Sequence, residues 1–357
     1  MRILQIIDSL DIGGAEKMAV NYANALQLKV NFSGLVATRK EGDLKNQLSK
    51  DVNYLFLNRK KTFDLNAILK LKKHCKKNKI EYLQPHSSSF FTALLVKFMI
   101  PKIKIIWHDH NGLSEFLSTR KSFVLKIASL FFYRIIVVND QLKKWAEKEL
   151  YCEKVIFLPN FTTINSFELN ETKLKGEDGK RILCLANLRL QKNHFFLLKV
   201  AQELIKSHSD WSFHLVGKDF NDDYSKKVFD IISSKNLQNN VFIYGSKNDI
   251  NNIIKQCEIA ILTSQSEGLP VAILEYGLHK KPVVSTNVGE IPLIIKNCEN
   301  GFVVSKNDEN EFNNSLIKLI NDIDLRRKLG NSLYNTIIEN HSEKVIIKNY
   351  LDWIKET

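Results

Sequence analysis

The feature that most constrains the fold is a regular alternation of short apolar runs with stretches of helical period along the 357 residues. The run RILQII (2–7) precedes a Gly-containing loop, and AEKMAVNYANAL (15–26) then places apolar residues on one side. The same succession recurs, with apolar runs at 35–39, 52–57, 80–86, 102–110, 134–140 and 155–160. Strand followed by helix, repeated, predicts a parallel sheet covered on both faces.

A polar stretch without clear period follows Phe161, and at Lys180 a second alternating series begins with KRILCLAN. We therefore predict an α/β protein with two Rossmann-like, doubly wound domains that face a central cleft. The predicted parts are a domain over 1–165, a domain over 166–335, and a C-terminal helix over 336–357 that packs back on the first domain. Since ligands of open parallel sheets bind beyond the carboxyl ends of the strands, functional residues should lie in strand-to-helix loops.

The net charge of +13 is confined to the first half of the chain. Residues 1–165 hold 27 Lys and Arg against 14 Asp and Glu, whereas 166–357 hold 25 of each kind. This excess indicates an anionic partner, namely a phospholipid surface, a nucleic acid or a phosphorylated substrate. A hydrophobic content of 44% excludes a disordered chain.

The five cysteines are scattered and form no Cys-x-x-Cys pair, so neither a disulfide framework nor a zinc site is indicated. We expect reduced, buried thiols. The N-terminal residues read as a strand rather than a signal sequence, and charged residues interrupt the longest apolar stretches. These features predict a cytoplasmic protein without a membrane-spanning helix.

The most specific loop is SEGLPVAILEYG (266–277), in which Glu267 precedes a helix that starts near Pro270 and Glu275 falls two turns into it. A helix start leaves backbone N–H groups, here those of Gly268, Leu269 and Val271, to attract an anion or hydroxyl-rich ligand. The two carboxylates can each accept from a vicinal diol. Taken alone, the same spacing also fits a capping glutamate and a solvated one.

The run 258–295 around this loop resembles the nucleotide-sugar half of the retaining GT-B glycosyltransferases of the group-1, family-four type. The resemblance extends over nearly the whole chain through GGAE (13–16), HDHN (108–111), LPN (158–160), LANLRLQKNH (185–194) and HLVG (214–217). It implies that the first domain binds the acceptor and the second binds the sugar nucleotide.

The resemblance also implies roles for single residues. Glu267 would contact hydroxyls of the donor sugar, Glu275 the ribose, and Lys192 the diphosphate, where a point ammonium is suitable. The backbone at Gly13 and Gly14 would approach the phosphates and the reacting sugar, which a side chain would obstruct. The predicted donor-binding residues are Gly13, Gly14, Asn187, Arg189, Lys192, Gly217, Gly268, Leu269 and Glu275.

Two positions depart from the family pattern. The arginine expected five residues before the lysine is Asn187, although Arg189 could supply the guanidinium. The expected Gly-Gly turn reads Gly289-Glu290, and the glutamate expected three residues later is Leu293.

Histidines His86, His108 and His110 lie near strand ends in the first half, and a single histidine there is often packed or solvated. The resemblance favours His110, in HDHN, as the residue that touches the donor sugar near its reacting carbon, with His108 and Asp109 supporting it. The predicted catalytic residues are His110, Glu267 and Lys192.

For the reaction, the resemblance implies transfer with retention from a UDP- or GDP-sugar, without metal or other cofactor. Preorganised donors would stabilise the charge on the leaving diphosphate. Asp322 and Asp324 form an Asp-x-Asp pattern in a helical stretch, which we interpret as a solvated face. The acceptor would be a lipid-linked or saccharide substrate of surface-polysaccharide assembly.

Phenylalanines alternate with lysines over 89–107 and 121–134, and 70–79 carries six lysines. If they share an exposed face, they would dock the protein on the anionic inner face of the plasma membrane. Alternative functions are a sugar-nucleotide epimerase or a phosphorylase of the same plan. A nucleic-acid-binding protein is a further alternative, but no RNP, KH or helix-turn-helix pattern is present, so no nucleic-acid partner is predicted.

Overall fold

The computed structural model describes residues 1–111, Leu117, 120–163 and 171–356, and the chain divides into two units. The first unit is Met1–Thr162 with Glu343–Thr357, and the second is Thr163–Ser342. The boundary predicted after residue 165 falls within 164–170, outside the described residues.

The first unit contains a seven-stranded sheet in the order β3-β2-β1-β4-β5-β6-β7, with parallel pairing throughout. The strands are β1 (Arg2–Ser9), β2 (Phe32–Lys40), β3 (Asn53–Phe56), β4 (Tyr82–Pro85), β5 (Lys104–Asp109), β6 (Arg134–Val137) and β7 (Val155–Phe157). The helices are α1 (Gly14–Leu26), α2 (Leu65–Lys77), α3 (Phe90–Met99), α4 (Phe123–Ser129) and α5 (Asp140–Glu149).

Alternate side chains of the central strand β1 enter two hydrophobic clusters. Leu4 and Ile6 pack in the cluster formed with α2, α3, α4 and α5, whereas Ile7 packs with α1. The sheet is therefore buried on both faces, as a parallel sheet requires.

The second unit contains a six-stranded parallel sheet in the order β10-β9-β8-β11-β12-β13. Its strands are β8 (Arg181–Leu185), β9 (Ser212–Val216), β10 (Val241–Ile243), β11 (Ile259–Leu262), β12 (Val283–Thr286) and β13 (Phe302–Val304). Its helices are α6 (His194–Leu204), α7 (Asp223–Ser234), α8 (Ile250–Lys255), α9 (Val271–Leu278), α10 (Ile291–Ile294), α11 (Glu309–Asn321) and α12 (Ile323–Asn340).

The last helix, α13 (Glu343–Lys355), belongs to the first unit although it follows the second in sequence. It starts at Glu343 rather than at residue 336, because α12 continues to Asn340 before the chain breaks. Tyr350 of α13 is fully buried and donates to Gln84 Oε1 at 2.5 Å. Arg134 of β6 donates to the carbonyl of Glu356.

The two parallel sheets confirm the predicted α/β class with two Rossmann-like domains. Four cysteines are buried thiols as expected, but Cys298 is exposed. Asp322 caps α12 by accepting from the Leu325 amide, and Asp324 lies 3.4 Å from Arg327 on an exposed surface. Within the described parts of the chain, no helix combines the length and apolar character needed to cross a bilayer.

Candidate active site

In the second sheet, the strand order reverses between β8 and β11, which is where ligands of such sheets bind. Lys192 lies in the loop after β8, on a single 3-10 turn, and Glu267 lies in the loop after β11. The two strands are neighbours, so residues 75 positions apart in sequence meet at one edge. Strand order, rather than sequence proximity, assembles this pair.

Lys192 and Glu267 form an ion pair with Nζ 2.5 Å from Oε1. The side chains are 19% and 6% exposed, so the pair is poorly screened by water. Ser264 donates to the same Oε1 at 2.5 Å, and the Thr263 hydroxyl donates to the Lys192 carbonyl at 3.1 Å. These bonds fix both loops, and they present an ammonium and a carboxylate side by side.

A turn after β12 supports the Glu267 loop from behind. Gly289 has φ +55°, and a Cβ there would lie 2.2 Å from the Glu267 carbonyl oxygen and 2.7 Å from that of Gly268. The Glu290 amide donates to the Gly268 carbonyl at 3.0 Å. This turn departs from the family pattern at Glu290 but keeps the glycine at position 289, where a Cβ would not fit. Leu293, which stands in place of the expected glutamate, is an exposed residue of α10.

Asn187 and Gly217 shape the loop after β8. The Asn187 side chain accepts from the Lys218 amide at 2.7 Å, and a Cβ on Gly217 would lie 2.2 Å from the Ala186 carbonyl oxygen. Both residues therefore hold neighbouring strand ends together. Arg189 is exposed and stacks its guanidinium 4.5 Å from the centre of the Phe220 ring.

Gly268 and Leu269 precede Pro270, the N-cap of α9, and are buried in the loop that carries Glu267. Glu275 is the fifth residue of α9 and is partly exposed. The prediction of two turns was wrong: Glu275 lies four residues after Val271, which at about 3.6 residues per turn is little more than one turn into the helix.

In the first unit, Gly13 and Gly14 lie at the start of α1, directly beyond the carboxyl end of β1. Gly13 is the N-cap in extended conformation, and a Cβ there would meet only the flexible end of Glu16. A Cβ on Gly14 would have nothing within 4 Å. The fold itself therefore gives no steric reason for a glycine at position 14.

Replacement of Gly14 by Ala should accordingly leave the fold intact and raise the free energy of unfolding by up to about 1 kcal/mol. If the backbone here approaches a ligand, the same substitution should lower transfer. The measurements are thermal unfolding and turnover of one preparation. A variant with unchanged turnover would show that open space above Gly14 has no part in the reaction.

His86, His108 and His110 form a cluster at the carboxyl ends of β4 and β5, with ring centres 4.0 to 5.1 Å apart. His108 and Asp109 are the last two residues of β5, and both are buried. His110 is the first residue beyond the strand. The structure thus joins His86 to His108 and His110; the sequence analysis had noted His86 near a strand end without assigning it a role.

Hydrogen bonds from the buried Gln84 fix the protonation of His108. The Gln84 carbonyl oxygen accepts from Tyr350 at 2.5 Å and from Gln5 Nε2 at 3.2 Å, so its amide nitrogen is the donor to His108 Nδ1 at 3.2 Å. His108 therefore carries its proton on Nε2.

The same reasoning extends to His110. His86 Nε2 donates to Gln5 Oε1 at 2.8 Å, which leaves His86 Nδ1 as an acceptor. His110 Nε2 lies 2.9 Å from that atom and donates to it. A buried chain of hydrogen bonds, anchored by α13, thus holds His110 in one tautomer with a lone pair on Nδ1.

Burial lowers the pKa of His110 to about 3 and the pKa values of His86 and His108 well below the usual value, with neighbouring imidazoles as a smaller cause for the latter two. All three are neutral at pH 7. Below about pH 6.5 these three histidines become protonated in the unfolded chain but stay neutral in the folded protein. The free energy of unfolding should therefore fall between pH 6.5 and 5.5, by about 1 kcal/mol for each histidine.

Urea unfolding of wild type and His110→Gln at pH 7.5, 6.5 and 5.5 checks this pH dependence. The variant should lose less stability than wild type over the lower interval, because one titrating group is gone. Parallel curves would contradict an imidazole of His110 that stays neutral in the folded protein.

One candidate ligand nitrogen from each of the three histidines lies within 4.8 Å of the others, a spacing that could hold a metal ion. However, His86 Nδ1 and His108 Nδ1 already accept hydrogen bonds, which occupy the lone pairs that a metal would need. We interpret the cluster as a hydrogen-bonded support for His110.

Asp109 forms a two-pronged ion pair with Arg120, at 2.6 and 3.1 Å. The Arg120 guanidinium also stacks 4.4 Å from the centre of the Trp145 ring. The buried Asp109 carboxylate is therefore paired with a cation, and Arg120 is a partner that the sequence analysis missed.

Comparison with known proteins decides the family. Residues 165–336 match the family model described as "Glycosyl transferases group 1". Residues 165–336 therefore form a group 1 glycosyl transferase domain. This confirms the resemblance on which the site prediction rests, and the matched residues include Lys192, Glu267 and Glu275.

Two curated glycosyltransferases are similar to this chain over most of their length. A galactosyltransferase from Escherichia coli, named for UDP-Gal and α-D-GlcNAc-diphosphoundecaprenol, is 26% identical over 72% of this chain and 71% of its own. The capsular polysaccharide biosynthesis glycosyltransferase CapH from Staphylococcus aureus is 24% identical over 81% of this chain and 82% of its own.

Among solved structures, Anabaena HepE in complex with UDP and glucose matches with a TM-score of 0.83 over all of both chains, at 17% identity. TarM from S. aureus matches with a TM-score of 0.80 over all of both chains, at 14% identity. These likenesses establish the GT-B fold.

Proposed function

We propose that this enzyme transfers a hexose-type sugar from a nucleotide diphosphate donor to a lipid-linked or saccharide acceptor, with retention of anomeric configuration. The observation that carries the proposal is the Lys192–Glu267 pair at the switch point of the family-matched sheet. A fixed cation beside a fixed carboxylate is suited to a ligand with a diphosphate next to sugar hydroxyls.

The proposed donor is a UDP- or GDP-sugar, and the names of similar proteins support UDP. HepE was solved with UDP and UDP-glucose, and the E. coli relative is named for UDP-Gal. In our proposal the Lys192 ammonium contacts the diphosphate, Glu267 accepts from sugar hydroxyls and Glu275 from the ribose. Arg189 adds a second cation, and the loop at Gly268 and Leu269 supplies backbone contacts.

In the proposed reaction, the bond from the anomeric carbon to the diphosphate oxygen breaks and its electron pair leaves with the nucleotide. The acceptor oxygen forms the new bond on the same face, and its proton passes to the departing diphosphate. The growing charge is stabilised by Lys192, because an ammonium already held in place needs little reorganisation. Neutral His110 contacts the sugar near the reacting carbon.

For the acceptor and the location we rely on the relatives' names. They act in capsule synthesis and on a diphosphoundecaprenol-linked sugar. We propose surface-polysaccharide biosynthesis, in the cytoplasm, at the inner face of the plasma membrane.

The test is incubation with UDP- and GDP-sugars in the presence and absence of a polyprenyl-diphosphate-linked saccharide, with EDTA in parallel. Release of nucleoside diphosphate should require the acceptor, and the product should keep the donor's anomeric configuration by NMR. EDTA should not reduce the rate. Conversion of one sugar nucleotide into another without acceptor would indicate an epimerase, and an inverted product would contradict the proposed mechanism.

A further inference from the structure

The helices α2, α3 and α4 cover one face of the first sheet and share one hydrophobic core cluster. The side of α3 that faces away from this core carries Phe91 and Phe98, at positions i and i+7. Neither is fully buried, and Phe98 is 55% exposed. A surface helix usually presents polar residues to solvent, whereas α3 presents phenylalanine side chains on that side.

Helix α4 repeats the pattern. Phe123, Val124 and Ile127 lie on its outward side and are 78%, 58% and 46% exposed, whereas Leu125 and Ala128 enter the core. The exposed residues are spaced i, i+1 and i+4, which places them on one side of the helix. The helix is therefore apolar toward the core and also toward solvent.

Aromatic contacts join α3 to the residues that precede α2 and follow α4. The Phe98 ring lies 4.9 Å from Phe131, just beyond α4, and the Phe63 ring lies 5.2 Å from Phe91. We call this surface the aromatic face, and it comprises Phe63, Phe91, Phe98, Phe123, Val124 and Ile127. Exposed apolar surfaces of this extent mark sites of interaction.

Positive charge accompanies the aromatic face. The first unit holds 30 Lys and Arg against 17 Asp and Glu, and the second holds 22 of each, so the whole net charge of +13 lies in the first unit. Lys73 and Lys76 are exposed on α2, and Lys121 is exposed two residues before Phe123.

We infer that the aromatic face docks on an anionic phospholipid leaflet, with phenylalanines inserted among the headgroups and lysines in contact with their charge. Each lysine near such a surface adds about 1 kcal/mol, which is a gain of about fivefold in affinity. A second copy of the chain would instead bring two strongly positive units together. The inference builds on the proposed function, because a membrane-linked acceptor would be reached from this surface.

The experiment is sedimentation of the full chain with vesicles of phosphatidylcholine, with and without phosphatidylglycerol, at low and high salt. Binding should require phosphatidylglycerol and weaken as salt rises. Phe98→Ser/Phe123→Ser and Lys73→Glu/Lys76→Glu should each reduce binding by about tenfold or more. Phe229→Ser is the matched control, since Phe229 is 45% exposed in the second unit.

Absence of binding at low salt, or binding independent of phosphatidylglycerol, would overturn the inference. A concentration-dependent dimer by light scattering that is lost in Phe98→Ser/Phe123→Ser would also overturn it, in favour of self-association. No donor or acceptor is present in the vesicle experiment. If the protein transfers sugar normally to a soluble saccharide but does not bind vesicles, the docking inference is refuted. The proposed function is then still supported.

Discussion

Replacing Lys192 by Ala, or Glu267 by Gln, should lower transfer by about two to three orders of magnitude. Lys192 is the cation expected to meet the charge on the departing diphosphate, and Glu267 keeps both the ammonium and the sugar in place. The two residues share one hydrogen-bonded unit with Ser264. The double variant should therefore be little worse than either single variant, because such effects are not additive.

The matched control for this prediction is Lys199→Ala. Lys199 pairs with Glu309 at 2.8 Å in the same unit, but these side chains are 65% and 40% exposed. Loss of this surface pair should change neither turnover nor stability appreciably. Near-normal turnover in both Lys192→Ala and Glu267→Gln, with the control also normal, would refute the proposed site.

The second large effect is expected for Gly289→Ala. The substitution places a Cβ 2.2 Å from the Glu267 carbonyl oxygen, so the loop that carries Glu267 must move. We expect a loss of about 2 kcal/mol or more in stability, and a loss of transfer greater than the unfolded fraction explains. Thermal unfolding and turnover at a temperature where the variant is folded measure the two effects separately.

The control for this prediction is Gly245→Ala, which distinguishes the effect of backbone strain from the effect of displacing the loop that carries Glu267. Gly245 has φ +67°, close to the +55° of Gly289, yet a Cβ there would meet nothing within 4 Å. Both variants share the cost of a left-handed alanine, about 1 kcal/mol. Equal losses of activity in the two variants would show that Gly289 does not position Glu267.

The sequence was sufficient to predict the architecture because strand and helix periods differ, and their repeated alternation permits few sheets. The family resemblance identified Lys192 and Glu267 as site residues, and the structure brings these two side chains together. The meeting of these residues depends on β8 and β11 being neighbours. That strand order is a property of the sheet, which no local pattern contains.

Other features depend on contacts distant in sequence and were missed for that reason. Gln5, Gln84 and Tyr350 lie on different elements, and only packing of α13 against the first unit brings Tyr350 to Gln84. Gly289 was noted as a departure in a motif, but its role follows from its approach to the Glu267 carbonyl.

The phenylalanines show the same limit. Six of them lie among lysines in the sequence, but the sequence does not show which of the six are buried in the core and which are exposed. The structure packs Phe90 and Phe132 against Trp107, at 6.1 and 5.7 Å between ring centres, whereas Phe98 and Phe123 are exposed.

The central claim is that the Lys192 ammonium binds the diphosphate of a sugar nucleotide, and ligand-dependent thermal unfolding tests it most directly. UDP, GDP, ADP and CMP are added to wild type and to Lys192→Ala; a ligand at about 100 times its Kd stabilises the folded state by about 2.7 kcal/mol. We expect UDP or GDP to raise the melting temperature of wild type, CMP to have little effect, and the variant to lose the response. A response that is equal in wild type and Lys192→Ala, or no response to any diphosphate, would contradict the claim.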